Sequence, residues 1–298
     1  MLSAGTGLTR HTRWNRRCLG NTILASLVLL AGLSYRYAAL PKSIAYGCFR
    51  EISKYQMHFQ TRNWKSLSGS NFVVRFHPQD VAVAELVLET AEDAVQPVNE
   101  LLGFTPKEKS LILIYPTKGE LGKSFGWGAE QGAMGVYWAG VIRVLSPREW
   151  IKDVSGRGIE EVFRSSGPMV HEYTHLAADY ITRGNYPRWL TEGVAQYAER
   201  KITGFVFTDN LIRPGDEWYP LAELDSHFDE QHSQAKAYRQ SLALIDCLVE
   251  SYGEDGLRSI LQELGRGVDI DSVWKEELGI SIEDFEKGFI HWTLENAA

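Results

Sequence analysis

The chain has 298 residues, 44% of them hydrophobic and 23% charged, with a formal net charge of −7. That is enough chain for one large domain or two lobes around a cleft, and the composition excludes wholesale disorder. The acidic balance argues against nucleic-acid binding, and three scattered cysteines (Cys18, Cys48 and Cys247) exclude a disulfide framework or a zinc–thiolate site.

In chain order, the first 34 residues hold Arg10, Arg13, Arg16 and Arg17 and no acidic residue. An uncharged run follows from Cys18 to Tyr35, long enough for a short transmembrane helix or a signal-peptide core. No Ala-x-Ala cleavage signal follows closely, and Arg36 between Tyr35 and Tyr37 reads as an interfacial anchor. The expected organisation is a basic cytoplasmic flank over 1–18, a transmembrane signal anchor over 19–35 and a C-terminal domain outside the membrane; the alternative is secretion after cleavage. Residues 36–70 read as a partly helical juxtamembrane stalk without a catalytic role, ending in a turn or short linker over Ser66 to Asn71.

Phe72 to Phe76 has strand composition, and Asp80 precedes a helical pattern from Val81 to Leu102 that closes at Gly103, with Pro97 expected to kink or interrupt it. Leu111 to Tyr115 is a second apolar strand, and Gly132 to Leu145 reads as one or two more around Gly140. From Ser166 onward helices are expected over 168–182, 187–201, 233–252, 256–265 and 282–295. The fold class is therefore α+β: a small mixed sheet lobe over 71–165, then a mainly helical lobe over 166–298. Cys247, within the apolar stretch Leu242 to Val249, is core filling.

His171-Glu172-Tyr173-Thr174-His175 is a His-Glu-x-x-His sequence on the first of those helices. Four residues apart, the two imidazoles share a face and can chelate one zinc ion, while Glu172, rotated by about 100°, can address a water beside it. A catalytic zinc needs a third protein ligand, and Glu192 in Trp189-Leu190-Thr191-Glu192-Gly193 supplies one. Pro187 opens that second helix and Gly184 ends the first, so a short link makes the two antiparallel neighbours and returns Glu192 to the level of the histidines.

These motifs, with Ala237-Tyr238-Arg239-Gln240-Ser241 and Tyr252-Gly253 further on, resemble the gluzincin metallopeptidases and most closely their peptidase MA-like branch. The resemblance spans roughly residues 70–295. It implies a thermolysin-like zinc site and an extended substrate strand along the sheet edge. A metzincin pattern is excluded, because its Gly and third His would fall at Ala178 and Ile181. Gly132-Ala133-Met134-Gly135 looks like the Gly-x-Met-Glu-Asn segment of aminopeptidase N-like gluzincins, but Gly135 stands where their substrate-gripping glutamate would be. That favours endopeptidase over aminopeptidase action; the segment is either a substrate-pairing edge strand or plain sheet packing.

Tyr238 is the best-placed match for the oxyanion donor that gluzincins draw from their C-terminal lobe, with a core aromatic as the alternative and His227 and His232 as rivals. Asp179 and Gln196, one turn beyond His175 and Glu192, are candidates to orient the ligands, or else face solvent. The expected activity is zinc-dependent hydrolysis of peptide bonds in a peptide or protein substrate. The alternatives are a membrane-tethered zinc domain that only binds a partner, and a zinc hydrolase of a non-peptide substrate.

Overall fold

The computed structural model of the protein describes residues 39–126, 132–152, 158–206 and 216–296. The apolar run over 19–35 lies outside them, and among the described residues no helix is long and apolar enough to cross a membrane. Helix α1 (Leu40–Gln60) leads into strands β1 (Lys65–Ser68) and β2 (Phe72–Phe76), followed by helix α2 (Val81–Leu102) and strand β3 (Ser110–Tyr115). A short helix α3 (Lys118–Lys123) precedes the hairpin of β4 (Gly135–Trp138) and β5 (Val141–Leu145). The helical part comprises α4 (Ile159–Ser166), α5 (Met169–Thr182), α6 (Arg188–Thr203), α7 (Leu221–His227), α8 (Gln234–Gly265) and α9 (Ile282–Asn296).

The five strands form one mixed sheet in the order β1-β2-β3-β5-β4, parallel across β2, β3 and β5 and antiparallel at both edges. Parallel strands covered on both faces read as unbroken apolar runs, which is why Ser110–Tyr115 is buried at every position. Its side chains alternate between two cores. Ile112 and Ile114 face the large core with Ile142, Val144 and the buried stripes of α2 and α5, whereas Leu111, Leu113 and Tyr115 join Val141, Leu145, Leu121 and Met57 of α1 on the other face. The β4–β5 hairpin turns on Ala139 and Gly140, both with positive φ (45° and 85°), as a two-residue loop requires.

The sequence-based elements from Phe72 onward recur with small shifts at their ends, and two points differ. Ser66 to Ser68, read as part of a turn or linker, belongs to edge strand β1, which pairs Lys65 with Phe76 and Ser68 with Val73. Its polar, mostly exposed residues carry no strand signal of their own, and the hairpin is tied down from α2 by Glu92, which accepts from the Asn71 and Phe72 backbone N–H groups at 2.8 and 3.2 Å. Pro97 does not interrupt α2; Ala94, Val95 and Val98 around it are buried, and that packing outweighs a proline cost of about 3 kcal/mol. The division expected between helices over 233–252 and 256–265 is present within α8, as a break at Gly253 (φ 71°, ψ 173°).

Helices α5 and α6 lie side by side with α8 against both. Helix α6 meets α8 at Gly193, where an added Cβ would stand 2.3 Å from the Ser241 carbonyl oxygen and 2.6 Å from Ile245 Cγ1. This contact sets how near α6 comes to α8, and so where Glu192 sits. Gly193→Ala is expected to destabilise the fold by about 1–3 kcal/mol through overpacking, read from the urea midpoint at constant slope. An unchanged midpoint would show that α6 is free to shift.

Candidate metal centre

Helix α5 buries Met169, Val170, Tyr173, Leu176 and Ala177 in the core and packs on α2 and α6. The one-turn spacing of His171 and His175 stacks the two imidazoles at the α6 side, with their Nε2 atoms 3.1 Å apart. Glu192 Oε2 comes from α6 to within 3.5 Å of each Nε2. Two ligand atoms about 2.05 Å from a tetrahedral zinc stand about 3.3 Å apart, so the three separations are those of a zinc tripod. All three donors lie within 4.8 Å of one another.

The donor chemistry agrees. Glu192 is 4% exposed, and its Oε2 is buried without a hydrogen-bond partner, while Oε1 accepts from Arg188 Nε at 2.8 Å. Glu172, Glu192 and Glu199 are buried carboxylates with Arg188 as the guanidinium beside them, a donor set rich in acidic groups that suits a dication. Burial disfavours His171 as a cation, but the carboxylates of Glu192 and Glu199 beside it raise its pKa well above the ordinary histidine value. Burial likewise works against an ionised Glu192, yet His175, His171 and Arg188 together hold its carboxyl well below the usual range.

The outer nitrogens of the imidazoles are engaged as well. His171 Nδ1 is 3.4 Å from Glu199 Oε2, and His175 Nδ1 is 2.8 Å from Thr191 Oγ1. Donation of Nδ1–H to these groups leaves each Nε2 lone pair for the ion. Asp179 and Gln196, read from sequence as the orienting partners, are engaged elsewhere: Asp179 pairs with Arg50, and Gln196 donates to the carbonyl oxygens of Glu192 and Tyr238 at 3.2 and 2.9 Å. The reason is that the imidazoles lean across to α6 instead of along α5. Glu199 carries a signal in the sequence, since it lies two turns beyond Glu192 on the same face of α6. Thr191 had none.

Glu172 is 5% exposed, and its Oε2 accepts the backbone N–H of Tyr137 on edge strand β4. Burial raises its pKa, against the histidines and the Tyr137 N–H, which lower it. Gly135 fits closely here, because an added Cβ would lie 2.8 Å from Glu172 Cγ and from Pro168 Cβ. Tyr238 reaches the Glu192 side of the cluster: Arg188 hydrogen-bonds its hydroxyl, its ring packs edge-on against Phe228 at 5.4 Å, and burial and the Glu192 charge push its pKa up to about 12. His227 is exposed and shares a hydrogen bond with Ser226 Oγ.

The sequence profile of the Peptidase MA superfamily matches residues 90–295, which include every residue of this cluster. The chain belongs to the peptidase MA superfamily. The family assignment agrees with the resemblance read from His171-Glu172-x-x-His175 and Trp189 to Gly193. The chain is also similar, at 22% identity over 241 residues, to "Uncharacterized protein YhcO" of Bacillus subtilis (strain 168), the match spanning 77% of this chain and 71% of that one. Among solved structures it is similar to Legionella pneumophila aminopeptidase A in complex with aspartic acid (10% identity, TM-score 0.45, 76% of this chain and 27% of that one). It is similar, too, to the M1 zinc metallopeptidase of Deinococcus radiodurans (16% identity, TM-score 0.43, 78% and 51%). The chain thus spans about half the length of these solved structures, or less.

If Glu199 and Thr191 orient the imidazoles, Glu199→Gln and Thr191→Val should each weaken zinc binding by roughly 10- to 100-fold with the fold intact. Competition with a chromophoric chelator measures this, and wild-type affinity in both variants would remove them from the site.

Proposed function

We propose that this protein is a zinc peptidase in which His171, His175 and Glu192 hold the ion and Glu172 is the general base. The observation that carries the reading is the position of Glu172: a buried carboxylate next to a three-donor cluster, fixed by an amide of an open sheet edge. A closed structural zinc site has no use for such a group. When bound, zinc would lower the pKa of water and polarise a substrate carbonyl.

The chain's own residues do the rest. Glu172 accepts the proton of the attacking water and passes it to the leaving amine nitrogen, and burial shifts its pKa toward the range where one group can do both. Arg188 balances the charge of Glu192 at 2.8 Å and holds the carboxylate in one orientation. Tyr238, neutral at physiological pH, is the donor assigned to the oxyanion.

Strand β4 is one of the two edges of the sheet, and no other described strand pairs with its outer side. Leu145 N–H donates to the Met134 carbonyl, so the alternation of an antiparallel pair turns Gly135 and Tyr137 away from β5. The Tyr137 N–H is taken by Glu172, and the Gly135 amide remains to pair with an extended substrate backbone. Gly135 brings no carboxylate to grip a substrate amino terminus, and the tight fit at its Cβ position leaves no room for one, which supports cleavage within chains. The arginine-rich start of the chain and its apolar run support a tethered domain acting outside the membrane.

Glu172→Gln should keep one equivalent of zinc and lower kcat about 10²- to 10⁴-fold, measured by metal analysis and cleavage of a peptide library. Zinc binding without cleavage by either protein would favour a partner-binding domain. Tyr238→Phe should lower kcat by about 10²-fold with zinc content unchanged, and a wild-type kcat would assign the oxyanion contact to another group.

A further inference from the structure

Arg50 lies on α1, ahead of the family-matched residues 90–295, yet its guanidinium ends at the helix that carries the histidines. Its Nη1 donates to Asp179 Oδ2 at 2.9 Å and to the Asp179 carbonyl oxygen at 3.4 Å, and its guanidinium stacks on the Tyr180 ring at 3.9 Å. The Asp179 side chain is fully buried, so its oxygens need a cation or hydrogen-bond donors as partners. Tyr46, also on α1, hydrogen-bonds the same carboxylate.

The second donor to Asp179 Oδ2 is the Tyr137 hydroxyl, which in turn accepts the Gly140 N–H at 2.9 Å. Helix α1 presses on this same turn: an added Cβ at Gly140 would stand 2.7 Å from Lys54 Cδ and 3.0 Å from Arg50 Cγ. Tyr137 therefore joins two things. Its side chain is held by Asp179 and, through it, by α1, while its backbone N–H holds Glu172.

We propose that Arg50 is a positioning residue for the reaction: by neutralising Asp179 it secures the Tyr137 side chain, and with it the β4–β5 hairpin and the amide that orients Glu172. This rests on the peptidase reading for its effect on turnover, but not for its effect on the hairpin. It also makes α1 a working part of the site, because the guanidinium reaches Asp179 only when α1 is seated. A wedge of packing alone would need no ion pair that leads to the strand holding the general base.

The test uses the full-length chain with zinc bound and compares wild type, Arg50→Lys, Tyr137→Phe and the double variant Arg50→Met with Asp179→Asn. The double variant removes both charges together, so no buried carboxylate is left without its cation to unfold the protein. Hydrogen exchange is followed at the Tyr137 and Gly140 amides and along α5, with kcat and KM measured in parallel. The double variant and Tyr137→Phe should exchange at least about 10-fold faster at Tyr137 and Gly140 with α5 unchanged. Their kcat should fall about 10- to 100-fold at constant KM, with Arg50→Lys in between.

Wild-type exchange and kcat in the double variant would overturn the proposal, as would a rise in exchange along α5 equal to that of the hairpin, which would mean a purely structural role. If the wild type cleaves no peptide, the peptidase reading fails, and the exchange rates alone decide whether Arg50 holds the hairpin.

Discussion

Glu192 is a carboxylate at 4% exposure, and the surrounding groups are arranged so that it stays charged. A buried carboxylate would ordinarily take up a proton; two imidazoles at 3.5 Å and a guanidinium at 2.8 Å prevent it. One of its oxygens is spoken for by Arg188, and the other is aimed between the two Nε2 atoms with no hydrogen-bond partner. An anion held this way, with Glu172 and Glu199 adding to the negative charge, is a standing demand for a cation, and the spacing of the donors suits a tetrahedral one.

Meeting that demand takes accuracy of a few tenths of an ångström, and the fold supplies it by close packing. The parallel centre of the sheet is covered on both faces, and β4 is the edge next to α5. The distance of α6 from α8 is set by the missing side chain at Gly193, and the distance of β4 from Glu172 by the missing side chain at Gly135. Gly193 follows Glu192 and Gly135 faces Glu172, both buried carboxylates, and in both places the neighbouring atoms approach more closely than a Cβ would allow.

Much of this was legible beforehand because it is local. An apolar run bounded by turn residues reads as a strand whatever surrounds it, and His171 and His175 share a face on any helix. The failures concern partners distant in the chain. Strand β1 is polar and owes its existence to pairing with β2 and to Glu92, 24 residues beyond its last residue, Ser68, holding the turn. Glu199 and Thr191 took the place of Gln196 and Asp179 because the imidazoles point across a helix interface, a direction no spacing within one helix reveals. Arg50 sits in a stretch that read as a stalk, and its ion pair with Asp179 spans 129 residues.

By itself the sequence determined the chemistry on offer: two histidines one turn apart, a carboxylate beside them, and a third candidate donor on the next helix, since helical periodicity and a short antiparallel link are enforced by backbone geometry. Tertiary structure alone decided which groups stand behind those ligands, which sheet edge meets Glu172, and that an N-terminal helix reaches in to neutralise Asp179. Those are matters of which distant surfaces bury one another, and burial turns an ordinary Arg, Asp or Tyr into a member of the site by making its hydrogen bonds and charge too costly to leave unpaired.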